Sequence, residues 1–129
     1  MSRTYESEEK LPCDDLERLS RAGFELRVVE LRHFEDNWLL DSPRRKLFHQ
    51  GEALRVRSVN GIGWVTYKGA VREDQSPVKV REEIEFETDA PDRVELLARL
   101  GYHRSFRYQK YRTVYEIAVD DHKLHVVLD

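Results

Sequence analysis

Along most of this chain, residues two apart share a character that their neighbours lack. Arg55 and Arg57 alternate with Leu54 and Val56, and Trp64, Thr66 and Lys68 alternate with Val65 and Tyr67. Further on, Arg81, Glu83, Glu85 and Glu87 enclose Ile84 and Phe86. Tyr108, Lys110, Arg112 and Glu116 are interleaved with Tyr111, Tyr115 and Ile117. Lys123, His125 and Asp129 are set among Leu124, Val126 and Leu128, and Glu6, Glu8 and Lys10 form a first polar set. Successive side chains of a strand point to opposite faces, so a period of two predicts strands with one charged and one apolar face.

A single antiparallel sheet can turn such a charged face to water. Here the basic residues fall at paired positions on several strands, and Arg55, Arg57, Lys68, Lys110 and Arg112 converge if the sheet closes into a barrel. Closure makes the charged face a lumen. Cations crowded there need counter-charge, because desolvation and like-charge repulsion both oppose them. A polyanion held by the basic groups, with a divalent cation held by the carboxylates, satisfies both sets.

The chain has 129 residues, the size of one domain, and its 36% of charged residues nearly cancel to a net charge of −3. Lys and Arg alternate with Glu and build no one-sided basic patch, which argues against a nucleic-acid partner. The single Cys13 excludes an internal disulfide and a cysteine-based zinc site. The N-terminus lacks the apolar core of a secretory signal, and no run approaches the roughly 18 apolar residues of a membrane helix. A soluble, cytoplasmic protein is expected.

Turn signals divide the chain. Thr4 to Leu11 reads as a strand ended by Pro12, then a short helix capped by Asp14 or Asp15 carries Leu16 and Leu19 and stops at Gly23. Phe24 to Leu40 is extended and closes at Asp41-Ser42-Pro43. Strands Ala53–Val59 and Trp64–Lys68 flank the hairpin residues Asn60-Gly61-Ile62-Gly63. Val78 to Glu87 is a strand, and a helix capped by Asp89 with Pro91 in its first turn ends at Leu100-Gly101. Phe106 to Val119 and Lys123 to Asp129 pair through Asp120-Asp121. The fold class is mainly β (α+β).

The motif Glu6-x-Glu8-x-Lys10 resembles the signature of the CYTH, or triphosphate tunnel metalloenzyme, superfamily. The resemblance continues through Asn37-Trp38-Leu39-Leu40-Asp41-Ser42-Pro43, Leu54-Arg55-Val56-Arg57, Thr66-Tyr67-Lys68-Gly69, Arg81-x-Glu83-x-Glu85 and Lys110-x-Arg112, in the family's order. It implies a closed or nearly closed antiparallel tunnel of about eight strands with short helices outside. It also implies that Glu6 and Glu8 are metal ligands with Asp129 at the acidic position beyond them, and that the metal is Mg2+ or Mn2+. Lys10, Arg55, Arg57, Lys68, Lys110 and Arg112 would hold phosphate oxygens with help from Arg81. Glu83 and Glu85 are the candidates to orient an attacking water, with Lys10 beside them. The family continues past Leu128-Asp129 into a strand bearing a Glu-x-Glu pair, so the expectation is one domain over residues 1–129, shortened at its C-terminus. An unpaired edge would follow, favouring a homodimer or an open site.

The leading functional expectation is metal-dependent hydrolysis of a small triphosphate, inorganic tripolyphosphate or one like thiamine triphosphate. Alternatives are a class IV adenylyl cyclase, making cyclic AMP and pyrophosphate from ATP, and a non-catalytic binder of phosphorylated ligands. His33, His49, His103, His122 and His125 show no paired metal-ligand spacing and read as surface or wall residues.

Overall fold

The computed structural model describes residues 2–8, 21–73 and 76–129. Among these residues, seven strands and two short helices follow one another as β1 (Ser2–Glu8), β2 (Arg27–Asp41), α1 (Lys46–His49), β3 (Ala53–Val59), β4 (Ile62–Lys68), β5 (Lys79–Thr88), α2 (Arg93–Arg99), β6 (His103–Val119) and β7 (His122–Leu128). They form one sheet in the order β1-β5-β4-β3-β2-β6-β7, and the registered pairs β1/β5, β3/β4, β4/β5 and β6/β7 are antiparallel. The mainly β, antiparallel architecture with short helices is as expected. Two compact units share the chain, residues 2–8 with 36–109 and residues 21–35 with 110–129.

The hairpins follow local chemistry. β3 and β4 are joined by Asn60 and Gly61 alone, both at positive φ (50° and 80°), and the same pattern recurs at Asp120 and Asp121 (47° and 65°) between β6 and β7. Two consecutive left-handed residues match the right-handed strand twist, which is why Asn, Asp and Gly stand there. Ile62 and Gly63, read from sequence as part of the connection, belong to β4.

In the first unit, Leu40, Val56 and Val65 are buried together, with Trp38, Leu54, Val94, Leu97 and Tyr102 against them. Val94 and Leu97 belong to α2, so this helix covers the apolar face predicted for β3 and β4 and leaves the opposite face to the charges. In the second unit Ile117 is buried, whereas Tyr111, Leu124 and Leu128 of the same predicted apolar face are about half exposed.

Two local expectations change. Asp89 does not cap α2; the helix begins after Asp92, and the upstream turn is held instead by the Ala90 N–H donating to Thr88 Oγ1. Asp41-Ser42-Pro43 does turn the chain, but its side chains also start a helix the sequence did not announce. The N–H groups of Ser42 and Leu47 donate to Asp41 Oδ1, that of Phe48 to Oδ2, and that of Lys46 to Ser42 Oγ. Gly23 has φ 93°, the left-handed stop expected of it. The helix read at Asp14, Asp15, Leu16 and Leu19 lies outside the described residues, as do Cys13 and the end of the first strand.

Candidate active site

Register brings the charged residues of the first unit onto common rows. Glu83 on β5 stands opposite Thr4 on β1 and Lys68 on β4, and Glu85 stands opposite Thr66, itself opposite Arg55 on β3. Arg81 is opposite Glu6, while Glu87, Trp64 and Arg57 make a further row. Each row crosses strands of unlike charge. Lys68 Nζ donates to Glu6 Oε2 at 2.7 Å and lies 3.5 Å from Glu83 Oε2. Thr66 Oγ1 donates to Glu85 Oε2 at 2.7 Å, with Arg55 Nη2 at 3.5 Å from the hydroxyl and 3.8 Å from the carboxylate. Arg57 Nε donates to Oδ1 of the fully buried Asn37 at 2.7 Å.

The two carboxyls around Lys68 are unequal. Burial pushes both up, and they are hydrogen-bonded to each other. Burial is the largest single influence on Glu6, but Lys68, the hydrogen bond with Glu83 and the charge of Arg81 together outweigh it and hold the carboxyl below the usual range. Glu83, farther from the ammonium and facing the charges of Glu6 and Glu85, stays above that range. The last proton to leave the pair therefore leaves from the Glu83 side.

Other expected residues are placed differently. Arg81 Nε donates to the Gly69 carbonyl at 2.8 Å and its Nη2 to the Gly51 carbonyl at 3.4 Å, so this guanidinium ties down two loops beside the row. Glu8, near the end of β1, is exposed. Lys10 lies outside the described residues.

The second unit has its own charged row on β2, β6 and β7. Asp129 accepts two hydrogen bonds from Arg112, Nε at 2.5 Å and Nη2 at 2.9 Å, and a longer one from Lys110 at 3.4 Å. The Arg112 guanidinium beside it holds the Asp129 carboxyl below the usual range. Lys110 Nζ also lies 4.0 Å from Oε1 of the buried Glu35, whose Oε2 is 2.8 Å from His33 Nε2. The hydrogen bond to Glu35, then the one to the Leu31 carbonyl, raises the His33 pKa. Arg27 donates to Glu116 at 2.8 Å, and His125 Nε2 lies 3.8 Å from the same carboxylate.

The sequence model of the CYTH domain matches residues 5–129. The chain belongs to the CYTH domain family. A relative from Methanocaldococcus jannaschii, named "Putative adenylate cyclase", is 29% identical over 126 residues, covering 90% of this chain and 69% of its own. A Vibrio parahaemolyticus structure, also titled a "putative adenylate cyclase", superposes with TM-score 0.63 at 19% identity over 97% of this chain and 67% of that one. The PH1819 protein of Pyrococcus horikoshii OT3 gives TM-score 0.59 at 24% identity over 98% and 71%. These two structures share the fold. CYTH domains bind triphosphate substrates and are in general metal-dependent, and no described helix of this CYTH domain is long and apolar enough to cross a membrane.

The donor set of the CYTH domain fits one hard cation only in part from protein. Among the described residues no group of three or more His, Cys, Asp or Glu side chains is arranged so that it could hold a metal ion. Glu6 and Glu83 do meet, and the raised Glu83 carboxyl marks a place where burial and a neighbouring carboxyl disfavour a second negative charge. Two carboxylates suit magnesium, which keeps waters and takes its other ligands from substrate phosphates. Asp129, expected beside the metal, is engaged by Arg112 and Lys110 within its own unit.

Parity on β2 went unread in the sequence. His33, Glu35, Asn37 and Asp41 alternate along a strand otherwise rich in Val, Leu, Phe and Trp, and all four are wholly or largely buried with polar partners. Applying the two-residue period to that segment finds them. Thr66, uncharged, reads as part of the polar face and of the family motif without a role in the site, and it is fully buried between Arg55 and Glu85.

Proposed function

We propose that this CYTH domain is a metal-dependent triphosphatase acting on a small triphosphate such as tripolyphosphate, with the charged rows of the first unit as its phosphate grip. The carrying observation is Lys68 set between Glu6 and Glu83 beside Arg55 and Glu85, cations and carboxylates alternating within hydrogen-bond or ion-pair reach. Guanidinium forks match phosphate oxygens, and Lys68 adds a point charge. Arg55, Arg57 and Lys68 bind and orient the phosphate chain, with Arg81 bracing the loops beside them.

Glu6 and Glu83 would hold Mg2+ or Mn2+, which when bound supplies charge stabilisation at the phosphoryl oxygens. Glu85 orients the attacking water and accepts its proton as the new P–O bond forms. The bridging P–O bond breaks and its oxygen leaves with the diphosphate, so no covalent enzyme intermediate is needed. Lys110, Arg112 and Lys10 keep the phosphate-holding roles implied by the resemblance. The lone Cys13 suits a reducing cytoplasm.

A second reading, adenylyl cyclase, is favoured by the names of two similar proteins. Product analysis separates the two. Tripolyphosphate and ATP are each incubated with magnesium and then manganese. Orthophosphate from tripolyphosphate supports the triphosphatase, cyclic AMP with pyrophosphate from ATP supports the cyclase, and turnover of neither refutes both.

A further inference from the structure

We propose that Thr66 is a positioning residue that holds Arg55 off Glu85 and so keeps the guanidinium available to a bound polyphosphate. This rests on the reading of the first unit as a phosphate grip. Arg55, Thr66 and Glu85 are direct cross-strand partners on β3, β4 and β5, so the hydroxyl is fixed between opposite charges by backbone register. Thr66 has no exposed surface, whereas Glu85 is about a third exposed.

A hydroxyl has one proton to give. Thr66 gives it to Glu85 at 2.7 Å, which leaves its lone pairs toward Arg55 Nη2 at 3.5 Å. The guanidinium nitrogen stops 3.8 Å from the carboxylate, beyond hydrogen-bond range, although Arg and carboxylate left alone close to a short, often two-point pair. That closed pair does form elsewhere in the chain, between Arg107 and Asp36 at 2.8 and 2.9 Å. The next row supplies the contrast: Lys68 faces Glu83 with no hydroxyl between them, and its ammonium is taken up by Glu6. Thr66 therefore satisfies part of Glu85 with a neutral donor and leaves the guanidinium only a weak hold on it.

Thr66→Val preserves shape and β-branching while removing both donor and acceptor, and Thr66→Ser restores them. Tripolyphosphate binding is measured by calorimetry on the full chain, in EDTA and in magnesium, for wild type, Thr66→Val, Thr66→Ser, Glu85→Gln and the double variant Thr66→Val/Glu85→Gln. The expected result is about tenfold weaker binding for Thr66→Val. Thr66→Ser should stay within about twofold of wild type, and the Thr66→Val loss should largely vanish in Glu85→Gln, where no carboxylate draws Arg55 away. Wild-type affinity in Thr66→Val, or an equal loss with and without Glu85, overturns the proposal, since a purely structural threonine gives the latter. If Thr66→Val does not fold, Thr66→Ala carries the same comparison. Failure of wild type to bind tripolyphosphate in either buffer overturns the phosphate grip itself, and the role of Thr66 with it.

Discussion

Replacing Asp41 by asparagine should destabilise the first unit by about 2–5 kcal/mol, although the two side chains have nearly the same shape. Asp41 is buried and accepts three backbone N–H groups, from Ser42 at 2.7 Å and from Leu47 and Phe48 at 3.0 Å each. In the Asp41→Asn variant the side-chain oxygen still accepts two of these bonds, weakened to neutral strength by about 0.5–1 kcal/mol each. The amide NH2 then confronts the Phe48 N–H, leaving a buried donor unsatisfied at about 1–3 kcal/mol. Urea denaturation followed by tryptophan fluorescence reads the loss, since Trp38 packs on the core beside Leu40. The pH dependence is a second check. Burial raises the Asp41 carboxyl, but the three N–H groups and Arg45 more than offset it and leave the folded value low. Its stabilisation is complete above the unfolded pKa of about 3.9 and is lost as pH falls through the folded value. The gap between wild type and Asp41→Asn should therefore narrow in acid. A loss below about 1 kcal/mol at neutral pH, or a gap that does not narrow, would refute the capping argument.

Lys68→Met should weaken tripolyphosphate binding about 10- to 100-fold in the calorimetric titration, because it removes a charge-assisted donor already in place; unchanged affinity would remove Lys68 from the site. His33 should titrate above its ordinary value by NMR and move back in Glu35→Gln, since the bond to Glu35 is the first cause of its shift. The stabilisation from that pair is full below the unfolded pKa of about 6.5 and is lost as pH rises through the folded value. Stability curves of wild type and Glu35→Gln should therefore converge on the alkaline side, and parallel curves would count against the pair.

Strand parity made the site legible and loop chemistry hid its supports. The sets Arg55/Arg57, Lys68 and Arg81/Glu83/Glu85 were readable because a charge at every second position of a strand leaves one explanation for its neighbours. Asp120-Asp121 and Asn60-Gly61 were readable because few residues tolerate two successive positive φ values. Helix α1 was not. It has four residues, its boundary residue Arg45 sits at φ 56°, and its starting bonds come from Asp41 and Ser42, which precede it in what reads as a plain turn. Arg81 likewise matched a phosphate-binding pattern, while its carbonyl partners Gly51 and Gly69 belong to loops whose approach no period encodes. Asp129 reads, by the resemblance, as an acidic residue of the metal site. Its neighbours across the hairpin are Arg112 and Lys110, and register from the Asp120-Asp121 turn decides that pairing.

Glu83 carries a stability cost that the proposed cation seat would explain. Burial raises its carboxyl first, the hydrogen bond to Glu6 raises it further, and Lys68 only partly opposes them. A carboxylate whose folded pKa is raised withdraws stability as pH climbs from the unfolded value through the folded one. Glutamine at this position keeps the bond to Glu6 and never ionises. Glu83→Gln should therefore be more stable than wild type at neutral and alkaline pH, with the advantage fading in acid where Glu83 is already protonated. If Glu83 and Glu6 hold the cation as proposed, the same change removes a negative ligand, so magnesium-dependent turnover of tripolyphosphate should fall as stability rises. Urea midpoints across the pH range, set beside orthophosphate release, separate the two effects. A Glu83→Gln protein less stable than wild type at every pH would mean that the carboxylate is well compensated within the fold and is not held in reserve for a cation.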